Sequence, residues 1–350
     1  MSPVKSYAAQ YPESLLAPYQ IERRNPGPLD VEIEILFCGV CHTDIHYIRN
    51  DFGTSLYPMV PGHEIIGKVS RVGKEVKKFK EGDLVGVGCI VDSCRKCRNC
   101  DKGWEQYCET GLVGTYSYYE KDGKTITQGG YSSRIVVDER YVLSIPKDLA
   151  LEKTAPLLCA GITMYSPLKY WNIGKGHSVG IVGLGGLGHI GVKLAVAFGA
   201  EVTVLSTSPS KKVDALELGA SHFVLTTDEE RLKEASNTFD FILDTVSGPH
   251  DYNPYLQLLG SSGMIIMIGV STAPVHLPSL QMVFSRKGVA GTLIGGISET
   301  QEMLDFCAAH LITADVEVIP IQQINEAYER MIKGEVKYRF VINMASLQNT

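Results

Sequence analysis

SVGIVGLGGLGHIGVKLAVAFGA, residues 178–200, is the stretch that decides the fold. Val179–Val182 reads as a short apolar strand that runs into Gly183-Leu184-Gly185-Gly186-Leu187-Gly188 and then into a helical pattern. Leu187, Ile190, Gly191, Leu194 and Phe198 fall at helical spacing, and Gly199 stands where a helix C-cap belongs. A second strand, Glu201–Leu205, follows at once. The same glycines elsewhere would be a plain loop; between strand and helix they form a dinucleotide fingerprint. Gly183 permits the tight turn, Gly185 lets backbone approach a pyrophosphate, and Gly188 lets helix pack on strand. Free N–H groups at the helix start then hold the phosphates.

Further along, Phe239–Leu243, Met264–Ile268 and Val289–Leu293 read as buried strands of the same parallel sheet. The last segment, Thr300–Thr350, returns to a mixed pattern with helices around Gln301–Ala309 and Ile324–Ile332 and a strand at Arg339–Ile342. Before the glycine stretch the texture is β-rich. Val31, Ile33, Ile35 and Phe37 alternate with Glu32 and Glu34, the pattern of a half-buried strand, and another strand follows at Ile65–Val72. Short strands with turns at Gly82-Asp83 and Gly129-Gly130 continue to about Ile145, which points to a compact β-barrel-like domain.

The chain has 350 residues, and that length favours two domains. With 44% hydrophobic and 21% charged residues it has the composition of a globular protein. A net charge of −6 argues against a nucleic-acid or anionic-membrane surface. Met1–Arg24 has no apolar core of signal-peptide type, and no run of about 18 apolar residues suggests a membrane span. The expected compartment is the cytoplasm. There the nine cysteines suggest metal binding rather than disulfides.

Cys94-x2-Cys97-x2-Cys100-x7-Cys108 is the most specific local pattern. Four thiolates close a tetrahedron around Zn²⁺ and leave no place for substrate, so the site is expected to be structural. An iron–sulfur cluster is the alternative that four cysteines leave open. Spacing does not bring Cys41, His63 and Cys159 together; from the residues alone Cys41 and Cys159 read more often as small buried hydrophobes and His63 as a satisfied core histidine. Likewise Thr43 reads as the N-cap of a short helix and His46 as a surface residue.

Five separated motifs occur in one order: Cys38-Gly-Val-Cys-His-Thr-Asp, Gly62-His-Glu, the four-cysteine loop, Pro156-Leu-Leu-Cys-Ala-Gly and the glycine turn. Together they resemble the zinc-dependent medium-chain alcohol dehydrogenases. Tyr338-Arg-Phe-Val fits the cinnamyl-alcohol-dehydrogenase-like branch, which includes bacterial NADPH-dependent aldehyde reductases. The resemblance spans nearly the whole chain. It implies an α/β protein: a GroES-like β-barrel catalytic domain over 1–157 and 297–350, and a Rossmann doubly wound cofactor domain over 158–296.

By the same resemblance Cys41, His63 and Cys159 become catalytic zinc ligands, Glu64 the acidic neighbour or alternate ligand, and Thr43 and His46 the proton relay. Two zinc ions per chain are then expected, the second in the four-cysteine loop. Phe52, Val113 and Leu293 fall where the family lines its substrate pocket, and a small wall at Val113 suits a broad range of aldehydes. Cys38, Cys89 and Cys307 match no functional position.

The expected cofactor is NADP(H). An NAD enzyme carries an acid about 20 residues past the glycine turn. Here that strand ends in Ser206-Thr207-Ser208-Pro209-Ser210-Lys211-Lys212, hydroxyls and lysines that suit a 2′-phosphate, though a capped turn with solvated lysines would read the same. His42, Gly269, Val270 and Arg339 complete the expected cofactor contacts. The reaction implied is reversible hydride transfer between NADP(H) and a primary alcohol or aldehyde, in a homodimer joined through the cofactor domain. Two rivals are a non-catalytic dinucleotide-binding protein and a zinc-dependent polyol dehydrogenase. The intact set Cys41, Thr43, His63 and Cys159 speaks against the first, and the missing ribose-binding acid against the second.

Overall fold

The computed structural model describes residues 2–271 and 273–349. The chain forms two compact units, one running to Ile162 and resuming at Gly295, the other comprising Thr163–Ile294.

The second unit is built on six parallel strands in the spatial order His222–Leu225, Glu201–Ser206, Ser178–Val182, Phe239–Asp244, Leu259–Met267 and Gly288–Gly291. In chain order this is 3-2-1-4-5-6, a doubly wound sheet. Its switch point lies between the strand that opens the glycine turn and the Phe239–Asp244 strand. Val179, Ile181, Val202, Val204, Ile242, Leu243, Ile265 and Ile266 are all fully buried. Burial on both faces is why these strands read as continuous apolar runs. The glycine-turn helix is Gly188–Ala197, and Gly199 ends it in the left-handed conformation at φ 84°.

Two strand boundaries differ from the sequence expectation. The last strand stops at Gly291 rather than Leu293, and Ile294 takes a positive φ of 35° that no strand continues through. The preceding strand begins at Leu259, five residues early, because a register shift between Phe239 and Phe241 absorbs its glycines.

The first unit is a seven-stranded sheet organised around the ten-residue strand Asp30–Gly39. That strand pairs antiparallel with Ile65–Val72, Arg134–Asp138 and Arg339–Asn343. Val31, Ile33 and Ile35 are buried as the alternation predicts, but Glu32 is buried as well. Its carboxylate accepts from Ser70 Oγ at 3.1 Å and Arg71 Nη2 at 3.2 Å, so partners on the neighbouring strand replace the water it gives up. The helix expected to start near Gln301 instead spans Ile297–Ala309. Among the described residues, no helix is long and apolar enough to cross a membrane.

Candidate metal and cofactor sites

Strand Asp30–Gly39 delivers the chain to Cys41, the N-cap of helix His42–Arg49. Strand Ile65–Val72 is entered through His63 and Glu64, and the turn Ala155–Leu158 delivers Cys159. One ligand atom from each of Cys41, His63, Glu64 and Cys159 lies within 4.8 Å of the others, and all four residues are buried. The two thiols are 4.0 Å apart. Two sulfurs about 2.3 Å from one tetrahedral ion stand about 3.8 Å apart, so the spacing suits zinc.

Asp44 organises this cluster from beneath. It is fully buried, its Oδ2 accepts from Cys41 N at 2.9 Å, and its Oδ1 accepts from Gly62 N at 3.2 Å. His63 Nδ1 lies 3.2 Å from the same Oδ1, which assigns the proton to Nδ1 and frees Nε2 as a ligand. Tyr131 donates its hydroxyl to Asp44 as well, at 3.3 Å. Sequence reasoning overlooked Asp44. Its position as third residue of a helix capped by Cys41 was the available signal, since an acid there reaches back to the cap's N–H.

Glu64 is paired with Arg339 through Oε1, while its Oε2 is buried with no hydrogen-bond partner. Burial pushes its carboxyl up to about 7 even with the Arg339 guanidinium pulling the other way. Burial also works against the charge on Arg339, but Glu64, Cys41 and Cys159 outweigh it and keep the guanidinium protonated. Arg339 is therefore committed to Glu64, and its Nε remains buried without a partner. A carboxylate oxygen of Glu64 together with two thiols and an imidazole is a donor set that a cation completes.

Thr43 Oγ1 lies 3.5 Å from Cys41 Sγ, half-buried at the cluster's edge. His46 is one helical turn on, part exposed, with Nδ1 2.7 Å from Asp51 Oδ2 and its ring 5.6 Å from that of Phe52. Asp51 was not anticipated; it fixes the imidazole through one nitrogen and leaves the other free. His42 is exposed at the start of the helix. Val113 is half-buried in the short strand Val113–Gly114, while Leu293 belongs to the other unit and is 42% exposed. Cys89, given no role from sequence, donates towards the Leu158 carbonyl at 3.9 Å, next to Cys159.

Cys94, Cys97, Cys100 and Cys108 form the second cluster, with their four sulfurs within 4.8 Å of one another. Cys94 and Cys100 are 3.9 Å apart. Backbone N–H groups turn inward on the sulfurs: Cys94 N on Cys108 at 3.3 Å, and Cys100 N and Glu109 N on Cys97 at 3.5 Å. Such donors favour thiolate over thiol: Cys100 N and Glu109 N hold Cys97 below the usual thiol range, and the Lys96 backbone does the same for Cys94. The loop around them contains only a four-residue helix and a three-residue turn, so bound metal has to supply its core.

In the second unit, Gly183 has φ 87°, and a Cβ on Gly188 would collide with the Gly183 carbonyl. Gly185 faces open space. These are the three glycine roles of a dinucleotide turn, with room left where phosphates approach. Leu184 is buried beneath the turn, and Gly186 and Leu187 are half-buried along it. Ser206 closes its strand 9% exposed, with its Oγ accepting from Ser208 N at 3.2 Å; Thr207 is exposed, and Lys211 opens the next helix. Gly269 backs onto the Val246 carbonyl, and Val270 is 53% exposed.

The family model described as alcohol dehydrogenase GroES-like domain matches residues 27–147, and that described as zinc-binding dehydrogenase matches residues 186–309. The chain is 53% identical, over all of both chains, to the NADP-dependent alcohol dehydrogenase C 1 of Mycolicibacterium smegmatis. It is 51% identical to a mannitol dehydrogenase of Petroselinum crispum, covering 96% of this chain and 100% of the relative. A solved cinnamyl alcohol dehydrogenase of Sorghum bicolor superposes with a TM-score of 0.95 at 45% identity, over 98% of each chain. With both halves matched and the buried donor clusters in place, the chain belongs to the zinc-dependent medium-chain alcohol dehydrogenases, in their cinnamyl-alcohol-dehydrogenase-like branch.

Proposed function

We propose that the protein is an NADP(H)-dependent alcohol dehydrogenase, working reversibly between primary alcohols and aldehydes of broad range. The observation that carries the reading is the buried set Cys41, His63, Glu64 and Cys159, with Asp44 orienting the histidine and Glu64 Oε2 unpartnered. The unit that holds both clusters is the catalytic domain, and Thr163–Ile294 is the cofactor domain.

Cys41, His63 and Cys159 would hold a zinc ion that would supply Lewis acidity at the substrate oxygen, and bound NADP(H) would supply the hydride. Every other step falls to side chains. Thr43 Oγ1, beside Cys41, accepts the substrate hydroxyl proton as it releases its own towards solvent during oxidation, and the same transfers run backwards during reduction. His46 exchanges that proton with solvent from its part-exposed position, its ring held by Asp51. Arg339 balances Glu64, which stays available to the metal as an alternate ligand. Phe52 and Val113 present apolar surface to the substrate, and Leu293 is assigned to the same role from the family pattern. The four-cysteine loop holds the second zinc and serves stability.

Gly183, Gly185 and Gly188 with Leu184, Gly186 and Leu187 take the pyrophosphate, Gly269 and Val270 the nicotinamide half, and Ser206, Thr207, Ser208 and Lys211 the 2′-phosphate. His42 and Arg339 are assigned to the cofactor too; the unpartnered Nε of Arg339 is the atom that suits an anion. The relative named mannitol dehydrogenase keeps a polyol in play as a substrate class. The absence of a carboxylate at Ser206 favours the NADP-linked reading.

The edge of the cofactor domain supports a homodimer through that domain. Gly288–Gly291 pairs on one side only, and Leu280, Val283 and Phe284 on the adjoining helix are 71%, 77% and 81% exposed. A second copy covers both the open edge and the apolar helix. Clusters of reduced thiols fit a cytoplasmic location.

The test is to follow NADPH absorbance in the near ultraviolet with benzaldehyde and with fructose as alternative substrates, before and after treatment with a zinc chelator. Chelator-sensitive oxidation of NADPH by benzaldehyde is expected. No turnover of either carbonyl by zinc-replete protein would return it to the class of non-catalytic dinucleotide binders.

A further inference from the structure

At the carboxyl end of the sheet, strand Phe239–Asp244 ends in a carboxylate that is 1% exposed. Asp244 lies beside the switch point, where a doubly wound sheet takes its ligand. Its groups fasten the loop that leaves the strand. Oδ1 accepts from Val246 N at 3.1 Å, and Oδ2 accepts from the Tyr252 hydroxyl at 2.7 Å. The Asp244 backbone carbonyl accepts from both Ile268 N and Gly269 N at 2.9 Å. One residue thus ties the 245–252 loop to the turn at Gly269.

His250 closes the arrangement from the solvent side. Its ring stacks on Tyr252 with centroids 4.5 Å apart. Nδ1 is 2.9 Å from the Gly248 carbonyl and Nε2 is 3.1 Å from Asp244 Oδ2. Nε2 sits off the line of a hydrogen bond, so it packs against the carboxylate without donating to it. A carbonyl oxygen only accepts, so Nδ1 donates to Gly248 and fixes the ring over Tyr252.

The loop held in this way is a wall of the dinucleotide crevice. Thr245 Oγ1 donates to the Val182 carbonyl at 2.7 Å, immediately before the glycine turn. A Cβ at Gly183 would meet Thr245 Oγ1 at 3.0 Å and Val246 Cγ2 at 3.3 Å, and one at Gly269 would collide with the Val246 carbonyl. Thr245 and Val246 therefore fill the space between the two turns assigned to the cofactor.

We infer that Asp244, Tyr252 and His250 form a latch that positions the Thr245–Val246 wall for NADP(H), with His250 acting as a positioning residue through Tyr252 and Asp244. The inference rests on the assignment of this crevice to the cofactor. Substituting His250 loosens the loop and changes no zinc ligand, so it acts on cofactor affinity and leaves the chemical step alone.

The experiment compares wild type, His250→Ala, His250→Gln and Tyr252→Phe in the zinc-loaded full-length enzyme. It measures the NADPH dissociation constant by fluorescence, KM for NADPH and for benzaldehyde, kcat, and the melting temperature without cofactor. Loss of one such contact is worth about three- to tenfold in affinity. His250→Ala and Tyr252→Phe are expected to raise Kd and KM for NADPH by that factor, with kcat and the benzaldehyde KM within about twofold. His250→Gln, which retains a donor, is expected to recover most of the affinity. NADPH binding unchanged in His250→Ala overturns the latch while the cofactor reading stands. So does a loss matched by a lower melting temperature and not rescued by Gln. A wild type that binds no NADPH overturns both.

Discussion

Replacing Ser206 by Asp is the sharpest perturbation of the cofactor site. Ser206 is the last residue of strand Glu201–Ser206, 9% exposed, with its backbone pinned where Thr226 N donates to its carbonyl at 2.9 Å. Its Oγ accepts from Ser208 N. An aspartate carboxylate can accept the same hydrogen bond, so the turn survives and the change reads out as charge. Two unit charges about 4 Å apart at an effective dielectric of about 20 repel by about 4 kcal/mol. Solvent at the crevice mouth reduces this to about 3 kcal/mol, and at about 1.4 kcal/mol per factor of ten that is roughly a hundredfold.

The assay is kcat/KM with NADPH and with NADH for wild type, Ser206→Asp and Lys211→Ala, at fixed benzaldehyde and low salt. The aspartate variant should lose about two orders of magnitude with NADPH and hold or gain with NADH, whose 2′-hydroxyl acquires an acceptor. Lys211→Ala should weaken NADPH by about tenfold, the range for one charge-assisted contact, and leave NADH alone. A wild type that prefers NADH, or substitutions that depress both cofactors equally, would refute a 2′-phosphate site at this strand end.

Elemental analysis should find about two zinc ions per chain. Cys94→Ser should lose one of them with a large drop in stability, and Cys159→Ala should lose activity while staying folded; iron in either place would refute the assignment. His46→Gln should slow alcohol oxidation at neutral pH and leave NADPH affinity unchanged, whereas an unaltered rate and pH profile would make His46 a plain surface residue. Asp122 accepts from Thr125 Oγ1 at 2.6 Å and from two backbone N–H groups, which hold its carboxyl down to about 2. A depressed carboxyl stabilises the fold above its unfolded pKa of about 4, and that contribution is lost as pH falls towards about 2. The hydrogen-exchange protection factor at Thr125, taken against the intrinsic rate at each pH, should therefore fall over that window and stay flat in Asp122→Asn.

Legibility in the sequence followed range along the chain. The glycine turn and the four-cysteine loop are local patterns, so spacing alone announces both a dinucleotide turn and a sulfur tetrahedron. Cys41, His63 and Cys159 carry no such signal, because the chain passes through strands and turns between them; only the family resemblance joins them. Asp44 and Asp51 escaped notice for another reason. Each is an ordinary acid in or near a short helix, and only burial against His63, or contact with His46, gives it a task. Glu32 shows the reverse error, since alternation predicts an exposed acid and Arg71 across the strand makes burial tolerable.

The helix at Ile297–Ala309 begins four residues before its apolar pattern does, and the cause lies far away in sequence. Glu105, in the turn between Cys100 and Cys108, places Oε2 3.1 Å from Ile297 N. A carboxylate at a helix N-terminus satisfies an orphan donor and complements the dipole, together worth about 1–2 kcal/mol. The Gly103 carbonyl packs so closely on Gly296 that a Cβ there would collide. The four-cysteine lobe therefore acts as the cap of this helix, and it can do so only while its metal holds it in shape. Glu105→Ala should lower the urea midpoint of zinc-replete protein by an amount equivalent to about 1–2 kcal/mol, with Glu105→Gln retaining about half. In protein stripped of the structural zinc the same substitutions should have almost no effect, because the cap is already displaced. Equal losses with and without zinc would make the two contributions additive, and the lobe would then be a separate staple with no hold on the helix.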